Sequence, residues 1–240
     1  MRRFFAENLT LDSKLAFIIN DEFIHLKKVL RLKIGDEVAL FNGKGLEFYG
    51  RIDSIEKDSA VVAIKEASES KAESPVDLIL LQGLLKGDKN EFVIQKATEL
   101  GVKEICFFSS SRTIPVINDS SSKIARWRKA SIEAAKQCGR SVLPGVNLKT
   151  FKEAVESYSG SLKILFWEND RVGGLKTALI PNKKKIVALV GPEGGLDETE
   201  VNEAKKNGFI QASLGPRILK AETAALSVLS ILQYELGDLN

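Results

Sequence analysis

Two glycine-punctuated loops, each fed by a short apolar run, constrain this chain more than any other feature. They are GPEGG at 191–195 and LGPRIL at 214–219. Residues 186–190 are β-branched and apolar and read as a buried strand. Residues 197–207 are rich in helix formers, with Gly208 as a stop; 209–214 read as a strand, and a helix is expected from about Ala221. Strand, turn and helix thus recur twice. In open parallel sheets, ligands bind beyond the carboxyl ends of strands, where both turns fall.

The chemistry of the first loop narrows the ligand. Glycine-rich turns ahead of helix N-termini suit phosphate. Glu193, however, sets a carboxylate in the middle of GPEGG, which favours a ligand with a cationic part. S-adenosylmethionine, with its sulfonium and amino groups, fits better than ATP or NAD. A dinucleotide fold would want G-x-G-x-x-G early in the domain with an acid about 20 residues on, and the chain has neither.

Other chemistries lack their parts. With His25 as its single histidine, the chain has no H-E-x-x-H and no Cys/His zinc set, and no metal is expected. Neither G-x-S-x-G nor G-x-x-x-x-G-K-[ST] occurs. Cys106 and Cys138 form no C-x-x-C pair and read as reduced, buried thiols. No run approaches the roughly 20 apolar residues of a membrane span. The N-terminus MRRFFAENLT has no apolar h-region, so a cytoplasmic protein without a membrane partner is expected. A net charge of +3 is too small to argue for nucleic acid by itself, so any such surface must come from local clustering.

Residues 4–5, 16–19, 37–41, 46–55 and 60–64 read as short strands, with turn signals at 42–45 and 57–59. Five such strands suggest a small barrel or curled sheet, the architecture of many RNA-binding modules. A helix is expected over 21–30, with Asp21 as N-cap and Phe23, Leu26, Val29 and Leu30 on one face. His25, Lys27, Lys28, Arg31 and Lys33 crowd together here, with Arg2 and Arg3 at the start of the chain. They form either a solvated helix face or a basic edge that positions phosphates. Residues 65–75 (KEASESKAESP) read as a linker, dividing the chain into domains at 1–73 and 74–240.

Beyond it, strands at 76–81, 104–108 and 164–167 alternate with helices at 89–100, 121–139 and 173–179. This argues an α/β domain built on a mainly parallel sheet. On the long helix, Arg126, Lys129 or Ala130, Glu133, Gln137 and Arg140 form a polar ridge. Trp127, Ser131, Ala134, Ala135 and Cys138 form a small-residue packing face. The ridge suits a salt-bridged surface as well as an RNA-facing one, with Gln137 and Arg140 the better functional candidates. Lys86, Lys89 and Lys96 form a second charged cluster with Glu91, Gln95 and Glu99. Arg112 follows the strand at 104–108 and is either a surface arginine or a phosphate clamp.

GPEGG followed by LGPRILKAETAAL resembles the small-subunit ribosomal RNA uridine-N3 methyltransferases of the SPOUT superfamily. The likeness continues through RRFF, His25 with Val29, Leu30 and Arg31, FVIQKATELGV at 92–102, and Ser111 with Arg112. Further along it takes in Arg126, Trp127, Glu133, Gln137, Arg140 and Pro144. It implies an N-terminal PUA-like or OB-like barrel, a C-terminal α/β domain with a trefoil knot, and a homodimer acting on 16S ribosomal RNA of the small subunit. It further implies S-adenosyl-L-methionine as cofactor, bound by Phe166, Trp167 and Glu168 at one strand end. Val190, Gly191, Glu193, Gly194 and Gly195 would line the pocket from the first loop, and Leu214, Gly215, Ile218 and Leu219 from the second. RNA contacts are expected from Arg2, Arg3, His25, Arg31, Lys86, Arg126, Gln137 and Lys220. At Lys220 this chain departs from the arginine usual in the family.

In the implied mechanism the uridine N3 proton must leave before or during attack on the methyl group. Arg112 or Arg140 would stabilise the uridine anion, and Glu193 and Glu168 are candidates for base or for donor binding. A non-catalytic RNA-binding assembly factor with the same fold is the alternative.

Overall fold

The computed structural model describes residues 1–112, 120–167, 173–180 and 183–239. By its contacts the chain divides into two compact units, Met1–Glu73 with Ile132–Leu143, and Ser74–Ser131 with Pro144–Asn240. The first unit is therefore not one contiguous stretch of sequence.

In the first unit, β1 (Arg2–Phe5), β2 (Leu15–Ile19), β3 (Glu37–Phe41), β4 (Leu46–Ile55) and β5 (Ser59–Glu69) make one sheet in the order β1-β3-β4-β5-β2. β1 runs parallel to β3 and the other pairs are antiparallel. Alternating residues such as Phe4, Ile18, Val38, Leu40, Phe48 and Val62 fill its core. β5 runs on to Glu69, so the first half of the expected linker is strand.

The helix expected over 21–30 is two pieces, α1 (Asn20–Ile24) and a π-helical turn, His25–Leu30. Asp21 sits in the first turn of α1, and Ile19 holds the cap position. The wider π period breaks the anticipated apolar face: Phe23 and Leu26 are buried, but Val29 is 67 % exposed.

In the second unit, β6 (Asp77–Gly83), α2 (Lys89–Glu99) and β7 (Glu104–Ser109) come first, followed by α3 (Ser120–Cys138), whose residues from Ile132 on belong to the first unit. β8 (Gly145–Thr150), α4 (Phe151–Glu156), β9 (Leu162–Phe166), α5 (Leu175–Ala178) and β10 (Lys185–Val190) follow. The described chain closes with α6 (Glu198–Lys206), β11 (Ile210–Ala212) and α7 (Ala221–Leu236). The six strands form a parallel sheet in the order β11-β9-β10-β6-β7-β8.

Successive residues of the central strands feed opposite cores. Leu78, Leu80, Ile186 and Ala188 pack with α2 and α7 on one face. Ile79, Leu81, Val187 and Leu189 pack with α4 and α6 on the other. Burial on both sides is why these strands are continuous apolar runs without alternation.

Trp127, Ser131, Ala134 and Ala135 of α3 are buried, as its small-residue face requires. The polar ridge stops short of Arg140. The helix ends at Cys138, and Gly139 takes φ +88°, turning the chain so that Arg140 points inward and is 4 % exposed.

Candidate functional site

The sheet register builds the floor of the site. Val190, the last residue of β10, pairs with Phe166 of β9 on one side and with Gln82 of β6 on the other. Phe166 also pairs with Ala212, the last residue of β11. Three strands thus end level, and the chain leaves each of them on the same side of the sheet.

A cavity of about 530 Å³ opens above this row, floored by Phe166, Val190 and Ala212. Gly191, Pro192 and Glu193 wall one side, and residues 213–220 with Ala221 and Ala224 of α7 wall the other. Glycine is required at specific points. A Cβ on Gly191 would press on Leu196, and Gly215 adopts φ +105°, which side chains with a Cβ rarely tolerate. Past the first loop, Asp197 and Glu200 form a reciprocal capping box that starts α6.

Charge in the cavity is unevenly committed. Glu193 Oε1 accepts from the Lys86 N–H at 3.1 Å and from Lys89 Nζ at 3.0 Å. Partial burial raises the Glu193 pKa, but these hydrogen bonds outweigh it and hold the carboxyl below its ordinary range. The same bond raises the Lys89 pKa. Arg217 and Lys220 also line the cavity, so three cations and one carboxylate face it.

Of the residues expected to hold a cofactor, Phe166, Trp167, Val190, Gly191 and Glu193 line this cavity, as do Leu214, Gly215, Ile218 and Leu219. Lys220, expected at RNA, lines it too. Gly194 and Gly195 are not among the lining residues. Gly194 instead lies under Arg112, whose Nη1 donates to its carbonyl at 3.3 Å. Glu168 lies outside the described residues. Pro192, within the expected stretch 191–195, lines it as well, while Lys89, Ala212, Ser213, Pro216, Arg217, Ala221 and Ala224 line the cavity without having been expected there. The strand-end rule, applied to β6 as it was to β10, would have led to the segment that carries Lys89.

Arg140 is not among the residues that line the cavity. In the first unit its Nε and Nη2 donate to Glu73 Oε2 at 3.0 and 2.9 Å, an ion pair that occupies the guanidinium structurally. Arg3 is similarly engaged, with Glu47 at 3.1 Å and the Arg140 carbonyl and Ser141 Oγ at 2.9 Å. His25 packs edge-on to Phe4 and lies 3.4 Å from Lys136 Nζ. Arg2, Arg31 and Gln137 are exposed. In the second unit Arg126 pairs with Glu91 at 2.6 Å, and the Lys86 side chain is exposed. Among the described residues no group of His, Cys, Asp and Glu is arranged to hold a metal ion, and no helix is long and apolar enough to cross a membrane.

Residues 72–233 match the RNA methyltransferase domain family, and residues 18–65 match the RNA methyltransferase PUA domain. The ribosomal RNA small subunit methyltransferase E of Bacillus subtilis is 30 % identical over 98 % of this chain and 97 % of its own length. The chain belongs to the ribosomal RNA small subunit methyltransferase E family. Solved structures extend the likeness. A methyltransferase E from Neisseria gonorrhoeae bound to S-adenosyl methionine is 33 % identical, with a TM-score of 0.92 over the full length of both chains. A Legionella pneumophila methyltransferase in complex with the cofactor SAM is 30 % identical, with a TM-score of 0.92 over 99 % of this chain and 98 % of its own.

Proposed function

We propose that this chain transfers a methyl group from S-adenosylmethionine to N3 of a uridine in small-subunit ribosomal RNA. The observation that carries the reading is the cavity over three level strand ends, walled by two glycine loops. It is supported by membership of a family whose solved member from Neisseria gonorrhoeae binds this donor, and by likeness to a Legionella pneumophila methyltransferase solved in complex with it. The residues fit such a ligand. The volume lies within the roughly 300–1,000 Å³ of small-molecule sites. The apolar floor suits an adenine ring, and Glu193, held as a carboxylate, suits a positively charged group.

When bound, the donor supplies an electrophilic methyl carbon on sulfur, and the bonding electron pair stays with sulfur as the methyl leaves. What remains for the chain is to hold uridine N3 in line and to favour loss of its proton. Glu193, with its proton affinity lowered and its Oε1 engaged by Lys86 and Lys89, is a weak base. We assign it to the donor. Arg217 and Lys220 on the cavity wall, with exposed Arg112 against the first loop, supply positive potential for the uridine anion.

In the same reading, the first unit, residues 1–73 with 132–143, forms the RNA-binding domain and the second unit the methyltransferase domain, whose final loops form a trefoil knot. The protein acts as a cytoplasmic homodimer. Arg2, His25 and Arg31, with Lys27, Lys28 and Lys33, give the first unit a basic surface for phosphate.

Calorimetric titration with S-adenosylmethionine tests the donor site. Saturable binding is expected, and Ala224→Phe, which places a ring in the cavity from α7, abolishes it. No heat at millimolar donor would overturn the reading. Finding the methyl group on an atom other than uridine N3, by mass mapping of treated small-subunit RNA, would overturn its finer part.

A further inference from the structure

Residues 82–89, which join β6 to α2, grip the first glycine loop at four points. Buried Gln82 donates from Nε2 to the Gly191 carbonyl at 3.1 Å. Gly83 approaches Pro192 so closely that a Cβ there would overlap the proline nitrogen. The Lys86 N–H and Lys89 Nζ both donate to Glu193 Oε1, at 3.1 and 3.0 Å. Lys89 then reaches further, to Glu222 Oε1 in the first turn of α7 at 3.5 Å. One ammonium therefore joins a carboxylate on each of the two segments that wall the cavity.

We propose that Lys89 is a positioning residue that sets the width of the cavity by tying the Glu193 loop to the first turn of α7. The inference rests on reading the cavity as the donor site. The remainder of the 82–89 segment gives this tie a rigid footing, because Gln82 and Gly83 belong to the strand beside β10. Without the ammonium, two carboxylates that each lay within 3.5 Å of one nitrogen face each other and repel, and the walls move apart. Arginine at the same place keeps the charge and can reach both acids. Neutralising Glu222 removes the repulsion without restoring the tie.

Hydrogen–deuterium exchange of the ligand-free protein decides the point. In Lys89→Met the amides of 193–195 and of the first turn of α7 exchange faster, and donor affinity falls by about fivefold, the upper range for one partly exposed ion pair. Lys89→Arg restores both readings. Lys89→Met with Glu222→Gln recovers part of the loss. Unchanged exchange in Lys89→Met, or failure of Lys89→Arg to restore it, overturns the proposal. If exchange responds as expected while the unaltered protein takes up no donor, the tie stands and the donor reading falls.

Discussion

Arg140 illustrates how one side chain is assigned by its partners rather than by its position in sequence. Glu73 receives its Nε and Nη2, and also the backbone N–H groups of Ser141 and Val142 at 2.9 Å. Four donors on one carboxylate, with the arginine side chain 5 % and the glutamate 23 % exposed, make a largely buried pair, and loss of the arginine leaves Glu73 only its two backbone donors. Arg140→Met is therefore expected to destabilise the protein by about 3 kcal/mol while leaving donor affinity intact, as measured by urea denaturation and by titration. Lys89 is the converse. Read as one lysine in a charged helical cluster, it becomes informative only once Glu193 and Glu222, over 100 residues away, converge on it.

At the level of elements, the helix that follows the first glycine loop depends on its cap. Asp197 accepts from the Glu200 N–H at 2.8 Å and from Ser111 Oγ at 2.7 Å. Hydrogen bonding to the Glu200 N–H, then to Ser111, lowers the Asp197 pKa. A lowered carboxyl stabilises the fold above its unfolded pKa, about 3.9, and that contribution is lost as pH falls through the folded value. Asp197→Ala should cost about 1 kcal/mol at pH 7. The difference from the unaltered protein should shrink below about pH 4 in thermal melts across pH. Strands such as β6 and β10 were legible because burial on two faces leaves continuous apolar runs, and α7 because its buried Ala221, Ala225, Val228, Leu229 and Leu232 recur at helical spacing. β8 and α4 were not. GVNLKT lies at the sheet edge with its residues only half-buried, and α4 spans only six residues behind a Thr150–Glu153 capping box. The glycine loops were legible from sequence, and they wall the cavity. The cavity's wall from α7 and its tie through Lys89 were not, because they depend on contacts between segments remote in sequence.

For the whole molecule, the first unit is assembled from Met1–Glu73 and Ile132–Leu143. The second piece carries Arg140 for Glu73, Ser141 for Glu47 and Lys136 for Glu22, the last two at 2.7 and 2.8 Å. A fragment of residues 1–73 is expected to lack a cooperative thermal transition by circular dichroism. Joining residues 132–143 to it through a flexible linker should restore one. A sharp transition in the short fragment would show that the second piece is dispensable.

The split arrangement also sets a clock. About 60 residues separate Glu73 from Ile132, and at roughly 5–20 residues per second a ribosome needs about 3–12 s to make them. Throughout that interval the first five strands have emerged without the segment that completes them, and Glu73 waits for its arginine. Folding of the part made first is thus held until the part made later arrives.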